Sequence, residues 1–238
     1  MSSLRTSRRA CLGNELSGGL QTSTLLEGLR TQALSFSVSL DPSQLEQIRL
    51  YLTELLRWNQ KINLISVSKA SDLLTCHVLD CFSPLPSLEG LTSILDVGSG
   101  AGFPGIPIKI ARPQLQVILV EARRKKASFL GQVIQRLCLT GIEALWARVE
   151  SEVLSERFSR NPVDCLITRA SGAEPGILSA AKELLRVGGK IILMKGALSE
   201  GYLRELEKRV GNHGRRIAQI SPYSLPGLTQ ERNLVLIE

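Results

Sequence analysis

The stretch DVGSGAGFPG, Asp96 to Gly105, places four glycines within ten residues directly behind an apolar run. Glycine in a regular element costs about 1 kcal/mol relative to alanine, so this density marks a turn whose backbone something must approach closely. The run leading into it, Ser93–Val97, reads as a buried strand. Further candidate strands follow at Gln116–Glu121, Ile142–Arg148, Val163–Thr168, Lys190–Met194, Arg216–Ile220 and Asn233–Ile237. Helical patterns separate the first five, Gly176–Arg186 among them, and another covers Ser199–Val210. Apolar strands alternating with helices predict an α/β fold with a mostly parallel seven-stranded sheet covered on both faces. Ligands in such sheets sit beyond the carboxyl ends of the strands, near the switch point, which is where the glycine stretch lies.

Upstream, Asp41, Pro42 and Gln44 form an N-terminal helix signature. Leu45, Ile48, Leu52, Leu55 and Leu56 continue it as one apolar stripe. A second short helix is expected over Ser71–Cys81, and SPLPSLEG (Ser83–Gly90) reads as a boundary. Residues 1–40 hold eight serines and four arginines but only two acids, without periodicity. They are expected to be a disordered extension, with an organellar transit segment as the alternative. The division is therefore 1–40 extension, 41–90 N-terminal helical cap and 91–238 ligand-binding domain.

The 238 residues carry a net charge of +7, which favours polyanionic partners, nucleic acid first. No apolar run reaches the roughly 18–20 residues of a membrane helix. Five scattered cysteines (Cys11, Cys76, Cys81, Cys138, Cys165) and two histidines, with no CxxC pair, argue for reduced thiols in a cytoplasmic protein and against a zinc site.

Gly100, Gly102 and Gly105 satisfy GxGxxG, the dinucleotide fingerprint, which is weak by itself. Asp96 is more telling. Dinucleotide-binding strands run apolar into the loop, whereas D-x-G-x-G is common in S-adenosylmethionine (SAM) methyltransferases. Glu121 closes the second strand 23 residues after Gly98, where a carboxylate can accept from ribose hydroxyls. That spacing leaves NAD open as well. Arg148-Val149-Glu150 and Thr168-Arg169-Ala170 crowd the ends of strands three and four, which core packing alone does not require.

Taken together, WNQKINL (Trp58–Leu64), HVLD (His77–Asp80), DVGSGAGFPGIP (Asp96–Pro107), RKKASFL (Arg124–Leu130), ARVE (Ala147–Glu150), DCLITRA (Asp164–Ala170) and KG (Lys195–Gly196) resemble the ribosomal RNA small subunit methyltransferase G family, also called glucose-inhibited division protein B. The likeness runs from about Leu45 to the C-terminus; Cys81, usually serine in that family, is a departure. It implies a Rossmann-like methyltransferase whose last strand is antiparallel. It also implies transfer of methyl from SAM to N7 of one guanine in 16S ribosomal RNA of the small subunit; separately, a monomer with no metal and no membrane association is expected. The implied SAM contacts are Gly98, Phe103, Val149, Glu150 and Arg169; Gly100 and Glu121 join them from the loop and strand-end geometry.

Guanine N7 carries an in-plane lone pair and loses no proton, so alignment and water exclusion suffice without a general base. The chain accordingly has Thr168-Arg169-Ala170-Ser171 after strand four rather than N-P-P-[YF], and no Pro-Cys nucleophile. No catalytic residue is assigned beyond a positioning role for Arg169. Arg123, Arg124, Lys125 and Lys126 open a helix, where cations oppose the macrodipole. They read as a phosphate-binding run or as a solvated face. Lys61 and Asn63 are further candidate RNA contacts. Trp58 fits a core anchor or a base-stacking ring, and His77 and Asp80 fit a structural pair or the RNA side of the cleft. An NAD-dependent oxidoreductase and a non-catalytic RNA-binding protein are the rival readings.

Overall fold

Seven strands build one sheet: β1 (Ser93–Val97), β2 (Gln116–Glu121), β3 (Ile142–Trp146), β4 (Val163–Thr168), β5 (Leu185–Lys195), β6 (Ile217–Tyr223) and β7 (Arg232–Ile237). In this computed structural model, which describes residues 23–66, 69–169 and 172–238, their order is β3-β2-β1-β4-β5-β7-β6. The first five pair in parallel. β7 runs antiparallel to both β5 and β6. The direction of winding reverses between β1 and β4, so the switch point opens beside the glycine stretch.

Period-two alternation sends successive side chains to opposite faces. Ile94, Val117, Leu119, Cys165, Ile167 and Ile192 face one cluster. That cluster is closed by α2 (Pro42–Asn59), α3 (Gly105–Ala111) and α4 (Arg124–Arg136). Leu95, Val97, Ile118, Val120, Leu166 and Leu193 face the other, under α5 (Glu152–Phe158), α6 (Glu174–Leu184) and α7 (Glu200–Asn212). Burying each such side chain contributes roughly 1.5–3 kcal/mol, which accounts for strands that read as continuous apolar runs. The Asp41 capping box is present, with Asp41 accepting from the Gln44 amide and Gln44 from that of Asp41.

Residues 23–40 depart from the expected disordered extension. Ser23–Ala33 forms a helix, α1, and Leu29, Ala33, Val38 and Leu40 are buried in the first cluster. The stripe of Leu25, Leu26, Leu29 and Ala33 is short, and the serines around it mask its helical spacing. The rest of that extension, residues 1–22 with Cys11, lies outside the described residues. The stretch expected as a helix over Ser71–Cys81 is helical from Ala70, but winds as a π-helix over Leu73–Val78 and as a 3-10 helix over Leu79–Phe82.

The bounds of β3, β5 and β6 differ from expectation by more than one residue. β3 ends at Trp146, because its partner β2 ends opposite at Glu121. β5 starts five residues earlier than Lys190: the helix expected to run through Arg186 ends at Leu184, and Leu185 pairs with Val163 across a register shift. β6 extends through Pro222, which an edge strand tolerates because one side needs no donor.

Candidate active site

The glycine loop is fastened from beneath before it offers anything to a ligand. Gly98 and Ser99 amides donate to the Val120 carbonyl at 2.8 and 3.2 Å, tying the loop to the adjacent strand. The Ser99 hydroxyl donates to Asp96 O. From the helical side, the buried Tyr51 hydroxyl of α2 donates to Ala101 O at 2.6 Å. Asp96, fully buried, accepts the Gly105 amide on Oδ2 at 3.0 Å and so fixes the start of α3. Its Oδ1 is buried with no partner. Burial pushes the Asp96 carboxyl up to about 7, although the Gly105 amide and the Ser99 hydroxyl pull the other way.

The four glycines divide into two kinds. A Cβ on Gly102 would lie 2.4 Å from Ile106, and one on Gly105 would lie 2.3 Å from Leu119 and 2.8 Å from Asp96 Oδ2. The close approach at these two is made by the protein itself. Gly98 and Gly100 are needed for left-handed φ values of 74° and 57°. At Gly100 an added Cβ would make only ordinary contacts, 3.7 Å from Gly98 O and 3.9 Å from Lys126 Nζ, so the loop leaves room there with Lys126 at its edge. The close approach expected at this stretch is thus made by the protein's own side chains at Gly102 and Gly105.

Glu121, at the end of β2, borders that space and is 7% exposed. Its Oε2 accepts the Gly100 amide at 3.0 Å and its Oε1 the Arg123 amide at 2.7 Å. The carboxylate is thus already oriented, and each oxygen keeps a lone pair for a further donor. Val149 is buried and Glu150 exposed beyond β3. Both press against α6 at Gly176, where a Cβ would come within 2.1 Å of Glu150 Oε1. Nothing in the residue spacing singles out Gly176.

Arg169, just past β4, is locked in place. Its Nε lies 2.9 Å from Asp80 Oδ2, one terminal nitrogen donates to Cys76 O at 2.5 Å, and the other is 3.4 Å from His77 Nδ1. The guanidinium also sits 5.9 Å over the Phe103 ring, and that ring lies 5.1 Å from His77. Burial, then the charges of Arg169 and Arg232, lower His77 to about 4, so the ring is neutral and Nδ1 accepts. His77 and Asp80 each meet Arg169, and Asp80 also lines the cavity beside it. Asp80 is 1% exposed and takes a second bond at 2.8 Å from the Tyr223 hydroxyl at the end of β6.

Asp80, Arg169, Met194, Lys195, Tyr223 and Arg232 line a cavity of about 210 Å³ beside the loop. Lys195 is paired with Glu174 at 2.5 Å, which Arg209 also holds at 2.6 Å. Arg232 differs from both neighbours: its Nε is buried with no hydrogen-bond partner. Reading the residues alone missed Tyr223, Glu174 and Arg232, and placed Lys195 only within a motif.

Of the remaining candidates only Lys126 reaches the loop, with Nζ 3.9 Å from the Cβ position of Gly100. Arg123, Arg124 and Lys125 are exposed and Lys126 half-buried at the start of α4. Lys61 and Asn63 are exposed in the turn after α2. Trp58 packs on Phe129 with ring centroids 5.7 Å apart, which favours the core anchor. Asn59 accepts the Leu64 and Ile65 amides and shapes the turn.

A family model for rRNA small subunit methyltransferase G matches residues 44–235. Ribosomal RNA small subunit methyltransferase G of Geobacter sp. (strain M21) is 34% identical over 211 residues, 89% of this chain and 96% of the relative. The protein of the same name from Syntrophotalea carbinolica is 38% identical over 201 residues, 84% and 92% of the two chains. Among solved structures, a SAM dependent methyltransferase from Aquifex aeolicus aligns with a TM-score of 0.52 at 17% identity, covering 67% of this chain and 91% of that one; the likeness extends to the fold.

Proposed function

This chain belongs to the rRNA small subunit methyltransferase G family, and from that premise we propose that it methylates N7 of one guanine in 16S ribosomal RNA, with SAM as donor. One juxtaposition supports the reading. An open-topped glycine loop flanked by Glu121 lies next to a polar cavity, and Arg169 bridges the two by contacting both Phe103 and the cavity. The unpartnered Oδ1 of Asp96 and the space over Gly100 fit a polar, close-lying donor molecule. Gly98, Gly100, Phe103, Glu121, Val149, Glu150 and Arg169 would hold it. When bound, SAM supplies an electrophilic methyl group on a sulfonium.

The chain's own part is binding and alignment. N7 reacts through a lone pair in the ring plane, so no side chain must remove a proton. The groups near Arg169 agree with that requirement. His77, lowered to about 4, is a weak base, and burial raises the Cys76 and Cys81 thiols. Arg169, immobilised by Asp80 and Cys76 O, presents a fixed charge without further ordering. The target base would enter the cavity among Arg169, Lys195 and Arg232, with Arg123–Lys126, Lys61 and Asn63 taking RNA phosphates outside it.

Among the described residues no helix is long and apolar enough to cross a membrane; we place the protein in the cytoplasm as a monomer, with residues 91–238 as its SAM-binding domain. The deciding experiment is methylation of unmodified small-subunit RNA by the purified protein, followed by mapping of the product. A single N7-methylguanine is expected. Methyl on a ring carbon or an exocyclic amine, or no transfer, would overturn the proposal.

A further inference from the structure

Trp146 is 61% exposed at the end of β3, the edge strand of the sheet. It is nevertheless held. Its indole Nε1 donates to Ala122 O at 3.0 Å, and the Arg124 guanidinium lies 5.3 Å from the ring centroid. A rigid, half-uncovered indole under an arginine has no packing purpose that a smaller residue would not serve.

The charges beside it are equally unexplained by stability. Arg123, Arg124, Lys125 and Lys126 form no ion pair among the described residues. They crowd the first turn of α4, where the helix dipole already places partial positive charge. A polyanion is the partner that turns this arrangement to advantage.

The sheet places this patch and Val149 on opposite faces. Ile142 and Ala144 pack with the α4-side cluster, and alternation puts Trp146 on that same face. Val149, assigned above to the donor, belongs to the opposite cluster with α6. We infer that Trp146 and Arg124 form a stacking platform for an unpaired base of the RNA substrate, with Arg123 and Lys125 on the flanking phosphates. Aromatic faces interleaved with cations are how single strands are gripped without sequence readout. The inference rests on the ribosomal RNA reading above.

The test uses the full chain carrying Trp58→Phe, which leaves Trp146 as the sole tryptophan. A single-stranded fragment of small-subunit RNA should quench its fluorescence, and S-adenosylhomocysteine should not. Trp146→Leu should weaken RNA binding roughly five- to hundredfold, while Trp146→Phe retains most of it. Unchanged S-adenosylhomocysteine affinity in both variants certifies the fold. Equal RNA affinity for wild type and Trp146→Leu would overturn the platform while leaving the methyltransferase reading intact. Quenching by S-adenosylhomocysteine alone would place the indole at the donor instead, and quenching that follows protein concentration would assign it to a second copy; either overturns the inference. Absence of both RNA binding and methyl transfer in the wild type would remove the parent reading with it.

Discussion

Replacing Asp96 by asparagine should change how stability depends on pH rather than merely lower it. Asp96 is fully buried, with Oδ2 on the Gly105 amide and Oδ1 unpartnered. Burial raises its carboxyl from an ordinary 3.8 to about 7 in the folded protein. Below pH 3.8 both folded and unfolded states hold the proton, and above about 7 neither does. Between these limits the native state binds more protons, so stability falls as pH rises through that window. The stabilisation is therefore fully present in acid and lost as pH passes the folded value. Integrating the linkage relation from pH 5 to pH 8 gives a loss of about 2.5 kcal/mol. Asparagine keeps an oxygen for the Gly105 amide but cannot titrate. Any constant penalty from its NH₂ shifts the whole curve and cancels from the slope. Urea unfolding of the cofactor-free protein at pH 5, 6, 7 and 8 should show wild-type stability falling by that amount relative to Asp96→Asn. Most of the change should lie below pH 7. Parallel profiles would refute the reasoning, because Asp96 would then be ionised throughout and its hydrogen bonds would outweigh its burial.

Arg169→Ala should destabilise the fold by about 3–5 kcal/mol, because it strands the buried Asp80 with only the Tyr223 hydroxyl; a loss under 1 kcal/mol in urea unfolding would show that the pair carries little. Glu121→Ala should weaken SAM binding about ten- to hundredfold by calorimetry, and Gly100→Ala, whose Cβ would enter the space assigned to the donor from a left-handed φ of 57°, should weaken it as well; unchanged affinity in both variants would displace the donor from this loop. Neutralising the exposed Arg123, Arg124 and Lys125 together should flatten the salt dependence of RNA binding by about 0.7–0.9 per lost phosphate contact without altering SAM affinity, and an unchanged slope would make the run a solvated face.

The local elements were legible because their causes are local. Asp41, Pro42 and Gln44 announce α2 through bonds made within four residues of one another. The ends of β1, β2 and β4 fall where their apolar runs stop, since each strand is buried on both faces. D-x-G-x-G fixed the loop, as left-handed φ at Gly98 and Gly100 restricts the residue type whatever surrounds it. The start of β5 and the helix within residues 23–40 differ from expectation because packing against the rest of the sheet or core outweighs the local pattern.

The site beyond the loop belongs to tertiary structure. Tyr223 reaches Asp80 from 143 residues away, and Arg169 meets Asp80 and Cys76 across a similar gulf in the chain. Neither periodicity nor spacing encodes such a pairing, because it depends on the sheet order that places β6 and β4 around the helical stretch 70–82. Sequence by itself therefore determined the scaffold and the donor loop, whose geometry is a matter of backbone conformation and apolar pattern. Which charges are neutralised, which stay uncommitted, and which faces Trp146 and Val149 occupy were decided only when the strands assembled, since charge compensation acts through space and not along the chain.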